Sequence, residues 1–110
     1  MSTVDVNGER LNYVEQGSGP PLVLLHGIGC DAGLWSRVLD GLGGEYAARA
    51  FNLRGHGGSS CTGELSIAAM TDDIGAATSA LGIETFDLVG VSLGGAVAVH
   101  LAAKFPARIR

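Results

Sequence analysis

One stretch constrains this chain more than any other: Phe86-Asp87-Leu88-Val89 running into Gly90-Val91-Ser92-Leu93-Gly94. An apolar strand pattern ends in G-x-S-x-G and passes directly into a helical pattern. The pentapeptide alone is a modest signal: at this glycine content about 0.2 chance matches are expected over the chain's serines. Its context makes it informative. A serine between strand and helix sits in a strained turn with its hydroxyl pointing outward. Side chains at Gly90 or Gly94 would collide where strand and helix cross. The helix start also aims unpaired N–H groups and a positive dipole end at the same spot, which favours the oxyanion of a tetrahedral intermediate. A small residue in a glycine-rich turn could equally hold a phosphate or nothing. A phosphate loop would call for Gly-Lys-Ser/Thr, however, and no lysine is present here. A dinucleotide fingerprint fails too, since Gly27-Ile28-Gly29 is followed by Asp31 and Ala32 where the third glycine belongs.

Upstream, Val4 and Val6 alternate before Asn7-Gly8, and Leu11 and Tyr13 alternate after it, which predicts a hairpin. Gly17 to Pro21 breaks the pattern as a loop, and Leu22-Val23-Leu24-Leu25 then reads as a strand buried on both faces. A first helix is predicted after an Asp31 cap, burying Leu34, Val38 and Leu42 with Trp35 and Leu39 beside them. A second follows Ser66, with Ile67, Met70, Ile74, Ala77 and Leu81 on one face and Gly82 closing it. The third runs from about Leu93 to Lys104, ended by Pro106. A weak strand, Tyr46 to Asn52, and a strong one, Phe86 to Val91, lie between them. The predicted fold is therefore α/β: an antiparallel edge hairpin followed by a parallel sheet flanked by helices.

With 110 residues the chain is expected to form a single domain, and its 46% apolar and 16% charged content excludes disorder. A net charge of −4 argues against nucleic-acid or anionic-membrane partners. The longest charge-free stretch, Leu88 to Ala103, is too short for a membrane span and fits a buried strand leading into a buried helix. The N-terminus carries no readable secretory signal, and Cys30 and Cys61 match no zinc or redox spacing. A cytoplasmic protein with free thiols is expected. No metal cluster, flavin site or nucleotide loop is visible, so no cofactor or metal is expected.

Three ordered motifs, Leu22 to Gly29, Asn52-Leu53-Arg54-Gly55-His56-Gly57-Gly58-Ser59 and Gly90 to Gly95, make the chain resemble the α/β-hydrolase fold family. The wording from Val4 through Gly29 is similar to 3-oxoadipate enol-lactonases and their esterase relatives. The resemblance implies Ser92 as nucleophile, with the backbone N–H groups of Ile28 and Leu93 as oxyanion donors. His26, Gly27, Gly90 and Gly94 would support that motif, with His26 organising its loop. Some branches of the family carry Asp as nucleophile; Ser92 points to esterases, lactonases and C–C hydrolases. His56 is expected to brace its loop, and His100 to be a packed helix residue. Trp35 and Met70 fit helix core faces.

Two positions depart from the family pattern. Asn52 stands where an Asp is usual, which removes a carboxylate that could pair Arg54, and Arg49 brings a charge to a usually apolar strand position. In this fold the acid and histidine partners follow the nucleophile in chain order. Leu93 to Arg110 contains no Asp or Glu, and its one histidine is His100. The expectation is thus the N-terminal portion of a hydrolase for small esters or lactones, lacking later strands, cap and acid/base segment. Losing the base alone costs on the order of 10⁶ in kcat, so little turnover is expected from this piece. The alternative is a non-catalytic binding module, or a half-domain assembling with a complementary chain or with itself through an unpaired edge at Phe86 to Val91.

Overall fold

The computed structural model describes residues 1–110. Strands β1 (Ser2–Val6) and β2 (Glu9–Gln16) form the expected hairpin, with Val4 opposite Leu11. Its turn places Asn7 at φ 52° and Gly8 at φ 79°, the left-handed pair that a two-residue connection requires. Strand β3 (Pro21–Leu25) leads to a 3₁₀ turn (Ala32–Trp35) and helix α1 (Ser36–Leu42). Strand β4 (Ala47–Phe51), helix α2 (Ile67–Ala80), strand β5 (Asp87–Gly90) and helix α3 (Leu93–Lys104) follow, and a short 3₁₀ turn (Pro106–Arg108) comes after α3. The sheet order is β1-β2-β4-β3-β5; β2 and β4 pair antiparallel, while β4, β3 and β5 are parallel.

Helices cover both faces. Val23 and Leu25 of β3 pack with Met70, Ile74 and Ala77 of α2 and with Val97 and Leu101 of α3. Leu22 and Leu24 point the other way, onto Trp35, Leu39, Ala48 and Ala50. That two-sided burial is the physical reason β3 has no polar alternation. Ser66 caps α2 by accepting from the Ala69 N–H at 3.1 Å, and Gly82 at φ 75° follows its last turn.

The structure departs from expectation in the first helix. Leu34 is 48% exposed and Val38 43%, whereas Ala32, Trp35 and Leu39 are buried. The helix opens as a 3₁₀ turn, in which residues three apart eclipse, so Ala32 and Trp35 share the inward face and the helical phase is set from them. Asp31 does cap it, accepting from the Gly33 N–H at 2.9 Å. His100 is also corrected: it lies exposed on α3 rather than packed, with Nδ1 bonded to the Ala96 carbonyl at 2.8 Å. Arg49 does not disrupt β4, since it lies 3.5 Å from the Glu15 carboxylate and keeps part of its side chain in solvent. Beyond β5, Phe86 pairs in parallel with Ile109, so the sheet edge is bridged at its start. Val89 and Val91 remain exposed further along.

Candidate active site

The site lies where the C-terminal ends of β3, β4 and β5 meet. Val91 continues the β5–β3 ladder, its N–H donating to the Leu25 carbonyl at 3.2 Å. At Ser92 the backbone then turns sharply, with φ 56° and ψ −118°, a region that residues with a Cβ rarely enter. Helix α3 begins at once, its first turn closed by Ala96 N–H to the Ser92 carbonyl at 3.0 Å. The flanking glycines allow this crossing. A Cβ on Gly90 would strike the Gly94 carbonyl, and one on Gly94 would strike the Leu25 carbonyl. The Ser92 residue is left exposed at the start of the helix.

The loop after β3 comes up against the same point. A Cβ on Gly27 would lie 3.3 Å from the Ser92 Cβ and 3.8 Å from its Oγ. Ile28 is 72% exposed, and its N–H makes no hydrogen bond within the chain. Cys30 N–H closes the turn on the Gly27 carbonyl at 3.1 Å. At the other side of the serine, the first N–H groups of α3, Leu93 among them, have no intrahelical acceptor by virtue of their position.

His26 is fully buried and holds this loop. Its Nε2 accepts from the Leu53 N–H at 3.0 Å, so the proton sits on Nδ1, which donates to the Gly27 carbonyl at 2.7 Å. Burial pushes its pKa below the usual histidine value, partly opposed by the bond to Gly27 and reinforced by His56. Both ring nitrogens are thus committed. His56 stacks at a tilt on His26, ring centres 5.0 Å apart, with Nδ1 on the Arg54 carbonyl at 3.1 Å. None of the three histidines is bonded to the Ser92 hydroxyl. Cys30 and Cys61 are both exposed and unpaired with each other. No group of three or more His, Cys, Asp or Glu side chains is arranged to hold a metal ion.

Sequence reasoning missed a buried ionic node beside this region. Arg54 donates to both carboxylate oxygens of Asp73, at 2.7 Å each, and to the Glu64 carbonyl at 2.7 Å. Its Nη1 also lies 3.6 Å from Glu9. Glu9 in turn accepts from the Thr62 and Gly63 N–H groups and the Ser60 hydroxyl, at 2.8 to 2.9 Å. Arg54 therefore did not need an acid at position 52. The signal was present in the pattern: Asp73 occupies the buried face of α2 with Met70, Ile74 and Ala77, and Glu9 alternates inward with Leu11 and Tyr13. A charge on an apolar face implies a buried partner.

This architecture, with the serine at the strand–helix junction, is that of the α/β-hydrolase fold family, whose model matches residues 20–110; the chain belongs to that family. Among its relatives, a fluoroacetate dehalogenase from a Burkholderia species is 38% identical over 109 residues, covering 94% of this chain and 36% of its own. A pyrrolizixenacetamide deacetylase from Xenorhabdus hominickii is 34% identical over 112 residues, covering 100% of this chain and 42% of its own. The crystal structure of the enol-lactonase from Burkholderia xenovorans LB400 superposes with a TM-score of 0.92 at 30% identity, across 99% of this chain and 44% of that one. The chain thus spans less than half the length of each. No helix is long and apolar enough to cross a membrane.

Proposed function

We propose that these residues are the N-terminal portion of a serine hydrolase domain that cleaves small carboxylic esters or lactones through an acyl-enzyme on Ser92. The observation that carries this reading is the backbone of Ser92 at φ 56°, exposed at the start of α3 and faced by the Gly27 loop. The hydroxyl oxygen attacks the ester carbonyl carbon, and the carbonyl oxygen takes the negative charge. The Ile28 and Leu93 N–H groups receive that oxyanion, each contributing a few kcal/mol, about the cost of removing one such donor elsewhere. The alkoxide leaves with a proton, and water later releases the acyl group. The base and its orienting acid are assigned to residues outside these 110, since His26 has both nitrogens engaged and neither His56 nor His100 is bonded to the serine. The kinship to the enol-lactonase and the deacetylase supports an acyl substrate. A cytoplasmic setting suits the two exposed thiols.

Peptide mass mapping after blocking the exposed thiols of Cys30 and Cys61 and prolonged exposure to p-nitrophenyl butyrate tests this. A single butyryl adduct on Ser92, absent in Ser92→Ala and formed without sustained turnover, is expected. Equal labelling of the two proteins would refute the assignment.

A second reading, an interaction module or half-domain, is favoured by the exposed Val89 and Val91 on the far edge of the sheet and Val99 on α3. It predicts association, with itself or with a complementary chain. Sedimentation equilibrium showing a monomer across a wide concentration range would exclude the self-associating form.

A further inference from the structure

Two consecutive residues at the end of β4 hold the two ends of the loop that carries Ile28. Leu53 N–H donates to His26 Nε2 at 3.0 Å, fixing the first end. Asn52 Oδ1 accepts from the Ala32 N–H at 2.6 Å, fixing the last. The Asn52 side chain is buried at 1% exposure, and its Nδ2 donates to the Gly57 carbonyl at 3.1 Å and to Asn12 Oδ1. Its backbone is held as well, N–H to the Asn12 carbonyl at 3.0 Å and carbonyl to the Ser59 hydroxyl at 2.7 Å. The carboxamide is therefore immobilised from β2 and from the 56–59 loop, and it transmits that position to Ala32.

We propose that Asn52 is a positioning residue for the oxyanion site: its Oδ1 sets where residues 27–32 stand and so where the Ile28 N–H points. This rests on the assignment of Ile28 as a donor to the oxyanion. An N–H that must meet a developing charge is effective only within a few tenths of an ångström of its place. A seven-residue loop that contains two glycines cannot hold itself to that tolerance, and it is tied to β4 at each end instead. An aspartate at 52 would keep the acceptor for Ala32 and lose both donors. An alanine would lose all three bonds. The two substitutions therefore separate the Ala32 link from the rest.

Amide hydrogen exchange and binding of phenylboronic acid, which forms an anionic tetrahedral adduct with a serine hydroxyl, are measured on the wild-type chain, Asn52→Ala, Asn52→Asp and Ser92→Ala. In Asn52→Ala, the Ala32 and Cys30 amides are expected to exchange about tenfold faster, as for loss of one buried hydrogen bond, with α2 and α3 unchanged. Boronate affinity is expected to fall by a similar factor. In Asn52→Asp, Ala32 and Cys30 keep their protection and boronate affinity is retained, while residues 56–59 exchange faster. Unchanged exchange at Cys30 in Asn52→Ala, or an increase spread evenly over the sheet, would overturn the proposal. If Asn52→Ala does not fold, loosening of Ala32 and Cys30 in Asn52→Asp would overturn it equally. Boronate binding no tighter to wild type than to Ser92→Ala would refute the Ser92 reading, while the exchange pattern would still decide the role of Asn52.

Discussion

Asp73 grips Arg54 with two hydrogen bonds of 2.7 Å, and the paired side chains are only 1% and 6% exposed. This pair ties the loop after β4 to helix α2, and Glu9 at 3.6 Å draws the first hairpin into the same knot. Removing Arg54 leaves the buried Asp73 and Glu9 carboxylates without their shared cation, which costs roughly 3–5 kcal/mol. Arg54→Met is therefore expected to lower the unfolding free energy in urea by about that much. Changing both residues to apolar ones, Arg54→Met with Asp73→Leu, recovers only part of the loss, because Glu9 then keeps no cation near it. Full recovery in the double variant would show that Glu9 is independent of Arg54.

Acid should loosen the same region in a defined window. The Thr62 N–H, then the Gly63 N–H, hold the Glu9 carboxyl down to about 2, against a burial effect that pushes upward; the Ser60 and Thr62 hydroxyls add to the lowering. The unfolded chain has the ordinary value near 4.5, so at lower pH it binds more protons than the folded chain does. The stabilisation is complete above that value and drains away as pH falls from 4.5 toward 2. Thermal midpoints measured down the pH scale should drop through this window in wild type. Glu9→Gln should begin lower at neutral pH and lose less between the two values. A parallel pair of curves would mean that another carboxylate governs acid unfolding.

Most of the frame was legible because its signals are local. Asn7-Gly8 between alternating runs, the unbroken apolar run of β3, and Ser66 before a heptad-like stripe each correspond to one element in the structure. The sharp backbone turn at Ser92 follows from an equally local signal, since its flanking glycines are needed within the motif itself. What was not legible depends on contacts far apart in sequence. The spacing of the first helix predicts Leu34 on the inward face, whereas the 3₁₀ opening changes the phase and turns it to solvent. At position 52 the sequence shows only the lack of an acid for Arg54, whereas the Asn52 amide turns away to Ala32 and Arg54 finds Asp73 nineteen residues on. The apolar helix around His100 predicts a packed side chain, yet it is exposed and its ring bonds back to the Ala96 carbonyl.

Gly94 and Gly95 are adjacent and should respond oppositely to alanine. A methyl at Gly94 meets the carbonyls of Leu25 and His26, which are backbone groups of β3 and its following loop and cannot step aside. Gly94→Ala is expected to cost roughly 2–3 kcal/mol, in the range of overpacked cores. A methyl at Gly95 finds its nearest neighbour, the Gly90 carbonyl oxygen, at 3.5 Å, an ordinary contact. Gly95→Ala should be neutral or add up to about 1 kcal/mol through helix propensity. Urea unfolding of the two single variants checks both, and equal destabilisation would contradict the crossing geometry of β5 and α3.

Ser92 offers a way to separate strain from chemistry. With φ 56° and ψ −118° it occupies backbone space in which glycine is at ease and any residue with a Cβ is strained. Ser92→Ala and Ser92→Gly both remove the hydroxyl, so both should lose the butyryl adduct completely. They should differ in stability. Alanine keeps the Cβ and the strain, leaving the melting temperature near that of wild type. Glycine releases strain of about 1–3 kcal/mol and gives back up to about 1 kcal/mol through the greater freedom of its unfolded chain. A net gain near 1 kcal/mol corresponds to a rise of about 3–6 °C for a chain of this size. A glycine variant that melts no higher than the alanine variant would limit the strain at Ser92 to the entropic cost of glycine, about 1 kcal/mol or less.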